Sequence, residues 1–190
     1  MKQNKVPPFS FEIKKILDGR PQFVAVEAVK FFKEGFQKSG FTNTSFVPWK
    51  KRVGPLGGKR ILIGYGNTMN LMQSIRTLEK TKNTVRTGSD LEYAQIHNDG
   101  GTITVTAKMK RFWWAKYREF AGKITKTKTG KTSGNARNRT LNTKAEYCKN
   151  MALMKVGSKI KIPQRQFIGE SKTLMTQFET WFTNEIEKIK

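Results

Sequence analysis

Few residues in this chain could do chemistry. The only histidine, His97, lies two positions before Asp99 in the stretch from Leu91 to Val105. An imidazole beside a carboxylate can act as a general base. The structural alternative is a packed or hydrogen-bonded side chain. One imidazole, with no second His and no nearby Cys or carboxylate cluster, cannot supply the three or four ligands of a usual metal site. Cys148 is the single cysteine, which excludes an intramolecular disulfide and a Cys-based zinc site and fits a reducing cytoplasm. The 14 acidic residues are scattered, with no paired carboxylates at metal spacing. Ser, His and Asp occur without the spacing of a triad. A hydrolase or nuclease is therefore the weakest reading, and neither a metal nor a cofactor is expected.

Three glycine-containing stretches mimic phosphate sites and fail. Residues 54–60 lack the first glycine of a phosphate loop, and no Ser or Thr follows Lys59. Gly130-Lys131-Thr132 has Thr125 where that glycine belongs and no apolar strand before it. Gly64-Tyr65-Gly66 lacks the third glycine of a dinucleotide fingerprint, at Met69.

Charge is the strongest signal in the composition. Lys plus Arg number 37 against 14 acids, a net of +23. Such a chain repels itself and is attracted to polyanions, either nucleic acid or an acidic protein surface. A solvated surface on a protein working inside a large assembly is the other reading. The basic residues concentrate in residues 122–144, which are almost all Lys, Arg, Thr, Gly, Asn and Ser, without an aromatic. That segment is expected to be a mobile loop. Its Lys123, Lys126, Lys128, Lys131, Arg137 and Arg139 are the candidate polyanion contacts.

These residues need elements to position them. With 190 residues and 36% apolar content, the chain suits one domain with a modest core. No apolar run approaches 18 residues, so no transmembrane helix is expected, and the polar start with Pro7-Pro8 does not read as a signal peptide. Residues 1–20 are expected to be an arm, ending in a turn at Asp18 to Pro21 with Pro21 at the first position of a helix. That helix, Gln22 to Ser39, carries Ala25, Val29, Phe32 and Phe36 on one face, widened by Val26, Ala28 and Phe31. Gly40 is expected to end it, and Phe46 and Trp49 to fold back onto it. A short helix is expected over 67–73, then a hairpin of Ser74 to Lys80 and Thr84 to Thr87 around residues 81–83.

Asp90 is expected to cap a helix over Leu91 to Asn98, and Gly100-Gly101 to end it. Thr102 to Lys108 alternates as a strand. Met109 to Ala121 mixes cations with Phe112, Trp113, Trp114, Tyr117 and Phe120. Such interleaving can stack on bases, but the 4 and 3 spacing of Trp113, Tyr117 and Phe120 reads as a helix packed on the domain or a neighbouring subunit. A short helix over 145–155 and a strand over 160–162 follow, with Pro163 marking a strand end or edge. Ser171 is expected to cap a last helix striped by Met175, Phe178, Phe182, Ile186 and Ile189. The fold class is α+β: a small, mainly antiparallel sheet packed by an N-terminal and a C-terminal helix.

Two segments together resemble a known family. Tyr93-Ala94-Gln95-Ile96-His97-Asn98-Asp99-Gly100-Gly101 is followed, about sixty residues on, by Ile162-Pro163-Gln164-Arg165-Gln166-Phe167-Ile168-Gly169. This pair is similar to the phage virion morphogenesis family, which includes tail completion and tail terminator-like neck proteins. Ile61-Leu62-Ile63 with Gly66, and Ser74-Ile75-Arg76, resemble the segment before that family's hairpin. Tyr93, Ala94, His97, Gly100, Gly101, Pro163, Arg165 and Phe167 carry the likeness, which spans residues 22–189. It breaks at Met109 to Leu153, where the helix and basic loop look like an insertion.

The resemblance implies a small α+β domain that joins or ends the tail during virion assembly. It implies a place in the virion, in the host cytoplasm before assembly, as a ring of copies docked to other tail or neck proteins. It implies no enzyme activity. On this view the motif residues are fold or interface determinants. Arg165, whose planar fork can pair with a carboxylate, is expected at an interface, so that Arg165→Ala would weaken assembly and leave the fold intact. The alternative is a basic nucleic-acid-binding protein.

Overall fold

The computed structural model describes residues 9–57, 60–64 and 68–189. The arm at residues 1–8, and Gly58, Lys59, Tyr65 and Gly66 of the glycine-containing stretches, lie outside the described residues.

The first helix, α1, spans Phe9–Lys38. It runs straight through Asp18 to Pro21, where a turn was expected. Pro21 costs one backbone hydrogen bond, yet the apolar stripe stays in phase across it. Ile13, Leu17, Pro21, Val24, Ala28, Phe32 and Phe36 recur every three or four residues, and all are at least partly buried. Val26, expected on this stripe, is instead exposed. Ser39 adopts the left-handed conformation that ends the helix, with φ 57°. Gly40 then starts a strand where its backbone lies under the Phe46 ring; a Cβ there would stand 2.3 Å from that ring.

The chain is α+β, with α1 and the C-terminal helix flanking small antiparallel pairs. The strands do not join into one sheet among the described residues. Strand β1 (Gly40–Thr42) pairs with β2 (Phe46–Pro48), and β3 (Arg76–Lys80) with β4 (Val85–Gly88). Strand β5 (Gly101–Thr104) pairs with β6 (Lys159–Ile162), Gly101 opposite Ile162. Two further helices lie between these pairs: α2, Asn70–Gln73, and α3, Ala94–Asp99.

Two expectations here are corrected. Helix α3 starts later than Leu91, and Asp90 does not cap it. Asp90 instead pairs with Arg76 at 3.0 Å, while Ser89 Oγ accepts the Leu91 amide at 3.2 Å. The strand expected to reach Lys108 stops at Thr104. Thr106 Oγ1 accepts the Met109 amide at 3.2 Å and starts a helix that includes Lys108.

That helix, α4 (Ala107–Ala121), packs along α5 (Ala136–Leu153) as a helical hairpin. Phe120, Ala145 and Cys148 form its small core, with Trp113, Tyr117 and Leu141 against them. The aromatic face of α4 is therefore covered by the chain's own α5. Much of the expected mobile loop at 122–144 is helix: α5 takes in Arg137, Arg139 and the segment through Lys144. Polar groups supply the order that apolar residues do not. Asn135 Oδ1 accepts the Asn138 amide at 2.8 Å, capping α5. Asn138 is 1% exposed. Its Nδ2 donates to the carbonyls of Thr125 (2.9 Å) and Ser133 (2.7 Å), and its Oδ1 accepts the Thr125 amide at 3.2 Å.

The main core lies on α1. Phe36, fully buried, meets Trp49 edge-on and Phe167 at a ring distance of 5.2 Å. Burial of such a ring stabilises by about 2–3 kcal/mol. The last helix, α6 (Lys172–Glu187), is capped by Ser171, whose Oγ accepts the Leu174 amide at 3.1 Å. Asn43 adds a second cap from β1's end, its Oδ1 accepting the Lys172 amide at 3.0 Å. The expected stripe is rotated: Met175 is exposed, and Leu174 is the buried residue. Phe23 of α1 stacks on Trp181 with centroids 4.1 Å apart and meets Phe178 edge-on, which sets the rotation.

Candidate functional site

The two segments that carry the resemblance form one unit. The end of α3 and the stretch after β6 are laid together by the β5–β6 ladder. Asn98 Oδ1 accepts two backbone amides, Phe167 at 2.9 Å and Ile168 at 3.0 Å. The Arg165 amide donates to the His97 carbonyl at 2.9 Å. Gly100 makes room: with φ 74°, it lies where a Cβ would stand 2.8 Å from the Gln164 amide nitrogen. The Trp49 indole donates to the Gln166 carbonyl at 2.6 Å and pins this unit to the core.

Within it the motif residues differ in role. Ala94 and Phe167 are buried core. Pro163 follows the last residue of β6, ending the strand as its missing amide requires. Gly101, also at positive φ, starts β5. Tyr93 is exposed and stands edge-on to the His97 ring at 6.1 Å. Arg165 departs from expectation. It is 9% exposed, its Nε donates to the Lys50 carbonyl at 2.9 Å, and its guanidinium reaches the Lys51 carbonyl at 3.4 Å. Its fork holds the chain's own loop instead of presenting itself to a partner's carboxylate. Burial, with Arg52 nearby, lowers its pKa from the ordinary value.

A cleft of about 650 Å³ opens between α4 and this unit. Tyr93, His97 and Arg165 line it, and so do Phe112, Trp113 and Lys116 of α4. His97 is half-buried, and burial followed by the Arg165 charge pushes its pKa below 6.5. The imidazole is thus neutral at pH 7, and its Nδ1 makes no hydrogen bond among the described residues. Asp99 faces elsewhere in its bonding: its Oδ1 accepts the Asn98 side-chain amide at 2.7 Å. The His97–Asp99 pairing needed for a general base is not formed by any described hydrogen bond.

No protein-family model, curated protein or solved structure matches this chain.

The basic candidates form a separate surface. Lys123, Lys126, Lys128 and Lys131 are exposed on the turn between α4 and α5, and Arg137 and Arg139 on the first turn of α5. Lys123 shares Glu119 with Lys116, at 2.9 and 2.7 Å, which holds that carboxyl at about 2. Among the described residues no group of three or more His, Cys, Asp or Glu is placed to hold a metal.

Asn98 and Asn138 were missed as organising residues. Nothing in composition marks a buried asparagine, but Asn135 before Ala136 has the form of a helix cap and signals α5.

Proposed function

We propose that this chain is a structural protein of phage virion assembly, a tail completion or head–tail junction component that acts by docking and not by catalysis. On this reading copies form a ring in the virion, bound to other tail or neck proteins, after synthesis in the host cytoplasm. One observation carries it. The segments at 93–101 and 162–169, on which the resemblance rests, are a single hydrogen-bonded unit through Asn98, His97 and Gly100. Residues that define a fold are expected to meet in this way. Light scattering after size exclusion, at low and high salt with absorbance at 260 and 280 nm, tests the reading. A discrete ring-sized species that survives high salt and carries no nucleic acid is the expected result. A chain that assembles only while nucleic acid co-elutes overturns it.

The second reading, nucleic-acid binding, rests on where the charge lies. Between Ala107 and Leu153 there are 13 Lys and Arg against 2 Glu, so 13 − 2 = +11 of the chain's +23 sits on the α4–α5 hairpin. Basic residues also occupy the first turns of both helices, where the helix dipole disfavours them and a bound phosphate would be favourable. Affinity for duplex DNA should then fall steeply with salt. Replacing Lys126, Lys128 and Lys131 with Gln should flatten that slope; an unchanged slope removes the turn from the argument.

A further inference from the structure

We propose that the cleft between α4 and the body of the protein binds a small organic anion with an apolar body, such as a medium-chain carboxylate. The site is independent of the assembly role. Its walls are chiefly apolar, from Leu56, Ile61, Leu62 and Leu71 on one side and Phe112 and Trp113 on the other. Its size falls among pockets that enclose small molecules. The polar groups are one-sided in charge. Arg52, Lys116 and Arg165 line the cleft, and none of the described lining residues is acidic.

Glu119, outside the lining, neutralises Lys116 in part. Arg52 donates to the carbonyls of Leu56 and Arg60, and Arg165 to those of Lys50 and Lys51, all of which are uncharged. The cleft therefore keeps a surplus of positive charge beside an apolar wall. His97 adds a ring nitrogen that no described group satisfies. As a neutral imidazole with hydrogen on Nδ1, it can donate to an oxygen of the anion. A neutral ligand would leave the cations without a partner, and a cation would be repelled. An inorganic anion would leave the apolar wall in water.

His97 makes the test direct, because its imidazole signals are the only ones of their kind in the chain. The full chain is titrated with octanoate, and separately with 1-octanol, octyltrimethylammonium and acetate, while the imidazole resonances are followed by NMR. Octanoate should shift them saturably and bind roughly tenfold or more tighter than 1-octanol. Bound octanoate should also raise the His97 pKa, since a nearby anion favours imidazolium. Trp113→Ala should weaken binding roughly tenfold through lost apolar contact. Should that variant fail to fold, Phe112→Ala, at a half-exposed position, serves in its place. Equal binding of octanoate and 1-octanol, acetate reproducing the shift, or octanoate binding that leaves the His97 signals in place would each overturn the proposal.

Discussion

Asn98 and Phe167, 69 residues apart in sequence, are joined by a 2.9 Å hydrogen bond from the Phe167 amide to the Asn98 side-chain oxygen. The same oxygen holds the Ile168 amide. Truncation at Asn98 strands two donors at once. We expect Asn98→Ala to destabilise the fold by about 2–3 kcal/mol, because unsatisfied donors cost more than a lost bond gains. Asn98→Asp keeps the acceptor and should restore most of that. Urea unfolding of the two variants distinguishes a bonding role from a mere loss of volume.

Arg165 ties the stretch after β6 to the loop at Lys50 and Lys51. Arg165→Ala should therefore lower stability by about 1–3 kcal/mol by leaving partly buried carbonyls unpaired. Thermal melting followed by circular dichroism measures this. A variant as stable as the parent would return Arg165 to the interface role that its sequence context suggested.

Asn138 is the only polar side chain among the fully buried large ones, and it orders the turn before α5. In Asn138→Ala the carbonyls of Thr125 and Ser133 lose their donor. Trypsin should then cut at Lys126, Lys128 or Lys131 at least several-fold faster than in the parent, since local opening governs cleavage. Mass spectrometry of early fragments locates the cuts.

His97 sets a pH dependence whose sign can be worked out. Its folded pKa lies below the ordinary 6.5. As pH falls through 6.5 the unfolded chain takes up a proton that the folded chain resists. The stabilising contribution of neutral His97 is thus complete above pH 6.5 and lost as pH falls through the folded value. Unfolding free energy should decline from pH 7.5 to 5 in the parent and decline less in His97→Gln. Parallel slopes would show that His97 contributes nothing to it.

Elements with strong apolar period were legible in the sequence. The core of α1, the β3–β4 hairpin, the α4 helix and the Ser171 cap follow from spacing and cap chemistry alone. Pro21 hid the first half of α1, because its local preference for a turn is outweighed by a stripe that continues on both sides. The 122–144 segment misled in the opposite way. Its composition cannot bury apolar surface, but Asn135 and Asn138 order it through hydrogen bonds, and single buried amides leave no periodic trace. Arg165 was misplaced because an arginine's charge argues for the surface, while its fork can equally be satisfied by carbonyls. The cleft was illegible for a different reason: its two walls, around 52–71 and 112–116, come together only through tertiary packing.

The segment from Trp49 to Leu56 belongs to both hydrophobic clusters. Trp49 packs in the main core, Leu56 packs with the hairpin core, and the Tyr147 ring lies against Gly54 between them. Arg165 grips the same segment at Lys50 and Lys51. The helical hairpin is for this reason no detachable lobe. Loosening α5 draws on a strap whose other end is anchored beside Phe36, so the hairpin and the main core lose their structure together, as one cooperative unit.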